Sequence, residues 1–359
     1  QSVADAAQED LSAEKVDAIV GTGERLAARI VAAMVRQNNI RAVAIDSQSL
    51  VITDANFGNA VPDLEASCER ITENLLPMLD RKIIPVITGF IGSTLDGRIT
   101  TLGRGGSDYT ASVLGACSNA DEVWIWTTVD GMMTTDPNEI DNARVITDMS
   151  YAEVGEMAYF GARVLHARMI GPLQSQKILL RIKNVFKPAQ QGTLISHSAA
   201  RQPRSLKAVT VIQGIGLSAD RSGPLSEITA MVNDVLMSTA GSPAEVMISS
   251  QSASRSFLCF VIPTSSGPSA VRAAMDILET ELEDFPIDWQ VRQVSLVTII
   301  GAHINEMQDV MAGLLAQLKG IPVLGIAQGP SNCSVSVVIP PESVFEAQAR
   351  LHDYVLAYS

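Results

Sequence analysis

The chain has 359 residues, of which 47% are hydrophobic and 18% charged, which is enough for two or three domains with substantial cores. Its formal net charge of -13 at pH 7 disfavours nucleic acid and anionic membrane surfaces as partners, because both are themselves negative. No apolar run approaches the ~20 residues that cross a bilayer, and the polar, acidic start is unlike a signal peptide. We therefore expect a cytoplasmic protein, although a removed transit peptide would leave no trace.

The first half of the chain alternates between helical and strand patterns. Apolar residues spaced three and four apart predict helices, and short β-branched runs predict buried strands. In chain order the predicted elements are a helix over Val16–Val35, strands at Arg41–Asp46 and Leu50–Thr53, a helix over Leu64–Leu79, strands at Ile83–Phe90 and Val123–Thr128, a helix over Tyr151–Leu165 and a strand at Leu179–Val185. This alternation predicts a layered α/β domain with its sheet between helices.

The stretch Thr100–Asp108, TTLGRGGSD, holds three glycines together with an arginine, a serine and an aspartate. Glycines let a backbone approach a ligand closely and aim successive N–H groups at an anion, while Arg104 and Asp108 supply opposite charges. The helical pattern of Tyr109–Ala116 would place this turn at a helix N-terminus, after the strand Ile83–Phe90. The pattern suits a zwitterion beside a phosphate. A tight connection without a ligand, or a mutual surface ion pair of Arg104 and Asp108, also fits it.

Around this turn the sequence resembles the aspartate kinases of the amino-acid kinase superfamily. The matching segments occur in the family's order, and they are GTGERLAARI from Gly21, GFIGSTLDGRITTLGRGGSDYTA from Gly89, WTTVDGMMTTDP from Trp126, MSYAEVGEMAYFGARVLHARMI from Met149 and GTLI from Gly192. The resemblance implies an amino-acid-kinase-type layered αβα sandwich over residues 1–195. It also implies transfer of the γ-phosphoryl group of ATP to the β-carboxylate of L-aspartate, with Mg²⁺ carried by the nucleotide.

The same resemblance implies roles for the residues of the glycine turn. Arg104 and Asp108 would be the catalytic pair: Arg104 would hold the α-carboxylate of aspartate, and Asp108 with Glu24 would take its ammonium group. The rest of the aspartate pocket would be two glycine N–H groups and a hydroxyl, from Gly105, Gly106 and Ser107. A carboxylate substrate is already a nucleophile, so the site needs cations and N–H groups more than a base. Glu24 could equally be a solvated helical residue.

The segment Thr127–Pro137 resembles the family's nucleotide segment. The expected nucleotide contacts are Thr127, Thr128, Asp130, Met133 and, from a later motif, Arg163. Many relatives carry Asp at Thr128, Tyr at Met133, Arg at Asn138 and Lys at Arg163, so the chain departs from the pattern here. Met133 could still pack on adenine and Arg163 keeps a positive charge, although Arg and Lys are not interchangeable at a shaped site. His166 is expected to be structural.

No part of Gln1–Asp17 resembles the family's KFGGTS loop, whose lysine holds the transferred phosphate. Either the chain is a fragment that lacks its first strands, which we favour, or it has lost the transfer chemistry. The alternative function is therefore a non-catalytic amino-acid-binding regulatory protein with an incomplete kinase domain. A sister kinase for glutamate, acetylglutamate or a nucleotide is disfavoured by the C-terminal region, and no homoserine dehydrogenase segment occurs within the chain.

An internal repeat follows a polar linker at Ser196–Ser205. Gln251 and Pro263 recur as Gln328 and Pro340, a shift of 77 residues from 251 to 328 and from 263 to 340. Each copy reads strand, helix, strand, strand, helix, and the first also has a closing strand, over about 213–294 and 295–359. The predicted strands are Ile215–Ala219, Ala244–Ser249, Ser256–Pro263, Trp289–Val294, Leu296–Ile300, Pro322–Ala327 and Ser334–Ile339. A surplus strand, Leu206–Ile212, is expected to complete the second copy.

This tandem region resembles the ACT units of the same family, which are ferredoxin-like βαββαβ modules that bind small amino acids and pair across subunits. The resemblance implies feedback regulation by an effector such as lysine or threonine, and a homodimer or higher homo-oligomer. The expected effector contacts are Ser222, Gly223, Leu225, Val246 and Ser249. A purely structural dimerisation module is the alternative.

The cysteines and histidines carry no metal or disulfide pattern. The four cysteines are Cys68, Cys117, Cys259 and Cys333, none in a CxxC pair, and the four histidines lack metal-ligand spacing. We expect reduced core thiols and no protein-bound metal.

Overall fold

The computed structural model describes residues 12–161, 165, 167–197, 204–223, 225–241, 243–262 and 267–358. The chain divides into two compact units. The first unit comprises residues 1–131, 147–151 and 163–199, and the second comprises 132–146, 152–162 and 200–359. Two pieces of the first half of the sequence therefore belong, by their contacts, to the second unit.

The first unit begins with two helices where the sequence pattern predicts one. Helix α1 (Ala13–Val20) begins after Ser12, whose hydroxyl accepts a hydrogen bond from the Lys15 N–H. Gly21 separates α1 from α2 (Thr22–Gln37). A Cβ at Gly21 would come within 3.0 Å of the Ile91 side chain, so the break lies where the chain passes close to a later hairpin.

The strands and helices before the glycine turn differ from the predicted connection. Strands β1 (Ala42–Ile45) and β2 (Ile84–Ile87) pair in parallel, and helices α3 (Leu64–Asn74) and α4 (Leu76–Asp80) lie between them in the chain. The predicted strand at Leu50–Thr53 is wrong, because Ile52 and Thr53 form only isolated bridges.

The predicted strand Ile83–Phe90 ends at Ile87, and an antiparallel hairpin of β3 (Ile91–Ser93) and β4 (Ile99–Thr101) follows it. Helix α5 (Gly106–Cys117) then begins three residues before its predicted start. The glycine turn therefore joins a hairpin strand to a helix, which differs from the predicted direct step from the buried strand.

A four-stranded sheet completes the first unit. Its strands are β5 (Glu122–Thr127), β6 (Asp148–Ser150), β7 (Leu179–Asn184) and β8 (Thr193–Ser196), in the order β5-β7-β8-β6. The β5–β7 and β6–β8 pairs are parallel, and β7–β8 is antiparallel. Helix α7 (Ile170–Ser175) precedes β7. Helix α6 (Tyr151–Tyr159), which belongs to the second unit from Ala152 onward, ends well before its predicted limit.

The reduced state predicted for the four cysteines is wrong for one pair. Cys68 on α3 and Cys117 at the end of α5 form a disulfide, because these two helices pack side by side. Cys259 and Cys333 are free and buried, and burial raises the pKa of both thiols. The bonded cysteines are 49 residues apart, and no local spacing rule relates them.

The second unit is built on two long antiparallel strands, β9 (Ser205–Ala219) and β12 (Trp289–Ala302), which pair along their whole length. Four segments predicted as separate strands are therefore two continuous ones. The further strands are β10 (Glu245–Gln251), β11 (Ser256–Val261), β13 (Gly325–Gln328) and β14 (Ser334–Ile339), in the order β10-β11-β9-β12-β14-β13. The helices are α8 (Leu225–Ala240), α9 (Gly267–Glu283), α10 (Gln308–Gln317) and α11 (Val344–Tyr358).

Each half of the two long strands belongs to a different ferredoxin-like copy within this one six-stranded sheet. Residues 213–219 and 289–294 lie beside β11 and β10, whereas residues 205–212 and 295–302 lie beside β14 and β13. Separate apolar cores fill the two copies, one around Phe260 and Leu278 and the other around Val337 and Leu351. The predicted fold class, a layered α/β unit with two βαββαβ units, is confirmed. Within the described residues, no helix combines the length and apolar character that a membrane span requires.

Removal of the disulfide should destabilise the first unit. We expect Cys68→Ser to lower the free energy of unfolding by about 4 kcal/mol, because the cross-link joins residues 49 apart and restricts the unfolded chain. Urea unfolding with and without a reducing agent measures this. The reducing agent should lower the stability of the unsubstituted protein and leave the variant unchanged. Peptide mapping that finds both thiols free in oxidised protein would contradict the pairing.

Candidate functional site

The glycine turn of the first unit is shaped by close backbone contacts. Gly103 and Gly105 both have φ of 71°, a left-handed conformation that glycine adopts without strain. A Cβ at Gly103 would lie 2.9 Å from the carbonyl oxygen of Gly58, and one at Gly106 would lie 2.8 Å from the Phe90 ring. The turn consequently needs its glycines for backbone shape and packing, whether or not it binds a ligand.

The first turn of α5 presents N–H groups that the chain does not use. The Gly106 N–H donates to the carbonyl oxygen of Gly103 and closes the turn. The N–H groups of Gly105, Ser107 and Asp108 have no acceptor within the described part of the chain. Free N–H groups at a helix N-terminus favour an anion. Of the two glycine N–H groups expected to line the aspartate pocket, only that of Gly105 is therefore available.

Phe90 is a strained residue beside this turn that the sequence did not single out. Its φ is 71°, which is unusual for a bulky side chain. Its N–H donates to the Thr110 hydroxyl at 3.0 Å, and its carbonyl oxygen accepts from the Leu102 N–H at 2.9 Å. Such strain persists only where the surroundings fix it, and it is concentrated at functional sites. Nothing in the local sequence signals this conformation.

The two charged residues of the turn do not satisfy each other. Arg104 is exposed and Asp108 is half-buried. Burial raises the pKa of the Asp108 carboxyl above its usual 3.8, with no offsetting contribution from Arg104. The mutual ion pair considered from the sequence is absent from the described side chains. Ser107 lies against Gly89, where a Cβ would come within 2.9 Å of the Ser107 Cβ.

Glu24 lies half-buried in the first turn of α2. Among the described side chains it makes no hydrogen bond or ion pair, so the structure does not bring it into direct contact with Arg104 or Asp108. Its neighbour Arg25 donates from Nη2 to Gln48 Oε1 at 2.6 Å, and its Nε lies 3.7 Å from Asp46. These contacts anchor the helical turn that carries Glu24.

Asp17 is a buried carboxylate that holds α1 against the hairpin. It is 3% exposed. Its Oδ2 accepts from the N–H groups of Gly58 and Thr101, both at 2.8 Å, and its Oδ1 accepts from the Thr101 hydroxyl at 2.8 Å. Thr101 is two residues before Gly103, so Asp17 fixes the start of the glycine turn. An acidic residue on the apolar face of a helix was the available signal.

Arg168 is the second supporting charge that sequence reasoning missed. Its Nη1 donates to Asn59 Oδ1 at 2.6 Å and to the Leu102 carbonyl oxygen at 3.0 Å, and its Nη2 donates to the Ala60 carbonyl oxygen at 3.1 Å. Its guanidinium carbon is 5.2 Å from the centre of the Tyr109 ring. Arg168 therefore ties the glycine turn to the first turn of α5.

Three of the expected nucleotide contacts lie at the end of β5. Thr127 is its last residue, and Thr128 and Asp130 follow at the carboxyl edge of the parallel β5–β7 pair. Lys187 Nζ lies 2.8 Å from one Asp130 oxygen, and Asn184 Nδ2 donates to the other at 2.6 Å. Both hydrogen bonds lower the pKa of Asp130, and the bond from Lys187 has the larger effect. This edge of the sheet is thus a polar, ordered surface.

Lys183 adds a buried cation at the end of β7. It is 8% exposed, and its Nζ lies 4.5 Å from the Trp124 ring and 5.4 Å from the Trp126 ring. Met133 belongs to the second unit, where it bridges to Val145. Arg163 and His166 lie outside the described residues.

The expected effector residues of the second unit fall in two places. Gln251 donates from Nε2 to the carbonyl oxygen of Gly223 at 2.8 Å, which brings the loop holding Ser222 and Gly223 to the end of β10. Ser249 is two residues before Gln251, and Leu225 packs on the first ferredoxin-like core. Val246, in contrast, lines a cavity of about 370 Å³ with Glu156 and Tyr159.

No group of three His, Cys, Asp or Glu side chains converges as in a metal site among the residues that the structure describes.

The chain is similar to a known protein family and to several of its members. The model of the Amino acid kinase family matches residues 2–184. The bifunctional aspartokinase/homoserine dehydrogenase of Haemophilus influenzae is 29% identical over 339 residues, covering 92% of this chain and 41% of that protein. The chain thus spans about two fifths of the length of this relative.

Two solved structures are similar over nearly the whole chain. E. coli aspartokinase III in complex with aspartate and ADP has a TM-score of 0.76 and 29% identity, covering 98% of this chain and 78% of that one. The same enzyme in complex with lysine and aspartate has a TM-score of 0.79 and 27% identity, covering 98% and 77%.

Loss of the Asp17 carboxylate should destabilise the first unit strongly. We expect Asp17→Ala to lower the free energy of unfolding by about 2–4 kcal/mol, because it leaves the Gly58 and Thr101 N–H groups without an acceptor. Asp80→Ala, at an exposed position at the end of α4, is the control and should change stability by no more than about 0.5 kcal/mol. Urea unfolding of both variants measures the two changes in stability. Equal changes would contradict a stabilising role for the buried Asp17 hydrogen bonds.

The raised pKa of Asp108 predicts a stabilising substitution. Folding disfavours the ionised carboxylate, so this group lowers stability above its folded pKa and has no such effect below about 3.8. Asp108→Asn should therefore raise the free energy of unfolding at pH 7, and the gain should shrink as the pH falls toward 4. Asp96→Asn is the control of opposite sign, because the Thr94 hydroxyl and Arg98 lower the pKa of Asp96. A loss of stability in Asp108→Asn at pH 7 would contradict the assignment.

Proposed function

Because the chain belongs to the amino acid kinase family, we propose that it carries the aspartate kinase activity of a feedback-regulated aspartokinase. The reaction is transfer of the γ-phosphoryl group of ATP to the β-carboxylate of L-aspartate. The observation that carries the proposal is the glycine turn. Within five consecutive residues it holds three N–H groups and a guanidinium that have no partner among the described residues, together with a carboxylate that burial desolvates. The relatives whose names and structures match are aspartokinases, one of them solved with aspartate and ADP.

The charges of the turn fit an amino acid. Arg104 offers a planar guanidinium for the α-carboxylate, which it can bind through two parallel hydrogen bonds. Asp108 gains most from a cation, because burial disfavours its charge until a partner arrives. An ammonium group supplies that partner, and Glu24 shares it in our proposal. Gly105, together with Ser107, lines the remaining side of the pocket, while Gly106 contributes packing.

The polar edge of the β5–β7 pair fits the nucleotide. Ligands of parallel α/β sheets bind at the carboxyl ends of strands, and Thr127, Thr128 and Asp130 lie there. We assign Met133 to adenine and Arg163 to phosphate from the family resemblance. Two cations lie at this edge, Lys183 against the Trp124 ring and Lys187 in an ion pair with Asp130.

Phosphoryl transfer to a carboxylate needs alignment and charge neutralisation more than proton transfer. The substrate carboxylate is ionised at neutral pH, so no residue of the site has to act as its base. The N–H groups of the helix N-terminus and the cations neutralise charge on the transferred group. Mg²⁺ would supply further neutralisation as an ion carried by the nucleotide phosphates, which leaves it few protein ligands to find.

The second unit fits a regulatory role. We propose that a small amino acid, lysine or threonine, binds to the ferredoxin-like pair at the loop of Ser222, Gly223 and Leu225 and along β10 at Val246 and Ser249. One similar structure was solved with lysine. Catalytic and regulatory domains over residues 1–195 and 206–359, a homodimer or larger homo-oligomer formed through these sheets, and a cytoplasmic location complete the proposal.

Replacement of Arg104 tests the aspartate site. In the complete gene product, we expect Arg104→Ala to lower kcat/KM for aspartate by about 10- to 100-fold, which is the worth of one charge-assisted contact. Arg98→Ala is the matched control, because Arg98 is an exposed arginine that contacts Asp96 on the same hairpin and the Phe57 ring.

Aspartate-dependent release of ADP is the measurement. Equal activity of the two variants would place the substrate elsewhere. Binding of aspartate by the unsubstituted protein without any ADP release would favour the non-catalytic regulatory alternative.

A further inference from the structure

A loop of the second unit carries the proposed adenine contact. Residues 132–146 form this loop, and its two sides are tied together near Met133. Met133 bridges to Val145, and the Thr134 N–H donates to the Arg144 carbonyl oxygen at 2.8 Å. The Ile146 N–H donates to the Met132 carbonyl oxygen at 2.8 Å. The position of Met133 therefore follows the position of the loop base.

Helix α11 binds this loop through two buried polar side chains. His352 Nε2 lies 2.8 Å from the Thr134 hydroxyl. Gln348, four residues earlier and therefore on the same face of the helix, donates from Nε2 to the Thr135 hydroxyl and to Glu139 Oε2, both at 2.9 Å. His352 is 0% exposed and Gln348 2%. The contacts are thus shielded from water.

These side chains lie on the face of α11 that otherwise forms the apolar core. Ala347, Leu351 and Val355 on the same helix are fully buried in the second ferredoxin-like core. A buried polar group is unfavourable unless it is hydrogen-bonded, and a bonded one fixes its partner's position more narrowly than apolar packing does. The polar pair therefore specifies where the loop sits on the helix.

Thr134 is the residue on which these bonds converge. Its hydroxyl also accepts from the Arg144 N–H at 2.9 Å, and its carbonyl oxygen accepts from the Val209 N–H of β9 at 2.8 Å. Thr134 directly follows Met133 in the chain. A shift of α11 or β9 would therefore be transmitted to Met133 through one intervening peptide bond.

We propose that Gln348 and His352 are positioning residues for the nucleotide, which hold the loop 132–146 so that Met133 meets the adenine. The inference rests on the proposed function, because it takes Met133 as a nucleotide contact.

The test uses the complete gene product with His352→Ala and Gln348→Ala. We expect the Kd for ATP by calorimetry and the KM for ATP to rise about tenfold in each, while the KM for aspartate changes less than twofold. His352→Gln keeps a side-chain amide that reaches the Thr134 hydroxyl, and it should restore most of the ATP affinity. Glu342→Gln, at an exposed position just before α11, is the control.

Hydrogen exchange gives a readout that does not depend on activity. The Thr134 and Arg144 N–H groups should exchange faster in His352→Ala than in the unsubstituted protein or in Glu342→Gln. Should His352→Ala not fold, Thr135→Val removes only the hydroxyl that Gln348 contacts and should raise the Kd for ATP in the same direction.

The outcomes separate the two proposals. Normal ATP affinity in His352→Ala, Gln348→Ala and Thr135→Val, in a protein that releases ADP with aspartate, would overturn the positioning role and leave the kinase function intact. Equal losses in ATP and aspartate use, without rescue by His352→Gln, would show a merely structural role and also overturn it. Faster exchange at Thr134 in a protein that binds no ATP would reject the kinase function while confirming the contact.

Discussion

The close approach of three backbone segments at the glycine turn is the constraint on which the candidate site depends. Gly103 lies against the carbonyl oxygen of Gly58, and Gly106 lies against Phe90. Because no side chain fits at these positions, the hairpin, the 58–60 loop and the start of α5 meet in one arrangement. Asp17 and Arg168 then satisfy the polar backbone groups that this packing buries. The N–H groups of Gly105, Ser107 and Asp108 are left without an acceptor among the described residues.

The site keeps its charges apart from one another instead of neutralising them. Arg104 has no carboxylate partner among the described residues, and burial alone raises the pKa of Asp108. An arrangement of this kind lowers the stability of the free protein, and our proposal expects a bound amino acid to offset that loss. The supporting charges behave differently, because the Asp17 carboxylate and the Arg168 guanidinium each make three hydrogen bonds within the chain. This contrast separates groups that shape the site from groups available to a ligand.

The two ferredoxin-like copies of the second unit share one six-stranded sheet. Strands β9 and β12 run without interruption through both ferredoxin-like copies, so a change in the twist of one copy strains the other. The same unit takes in residues 132–146, which Thr134 anchors to β9 and α11. The six-stranded sheet and residues 132–146 thereby belong to one packed unit, and our proposal of regulation through this unit depends on that connection.

The sequence by itself determined whatever depends on neighbours in the chain. Apolar periodicity identified most helices and strands, the shift from Gln251 to Gln328 identified the repeat, and the ordered glycine motifs identified the family. Only the tertiary structure decided the Cys68–Cys117 disulfide, the strained backbone of Phe90 and the long-range hydrogen bonds of Asp17 and Arg168. Each of these features depends on contacts between segments that are distant in sequence, and a local sequence pattern does not indicate which distant residues will be in contact. For the same physical reason, packing alone showed that the loop with Met133 belongs to the second unit.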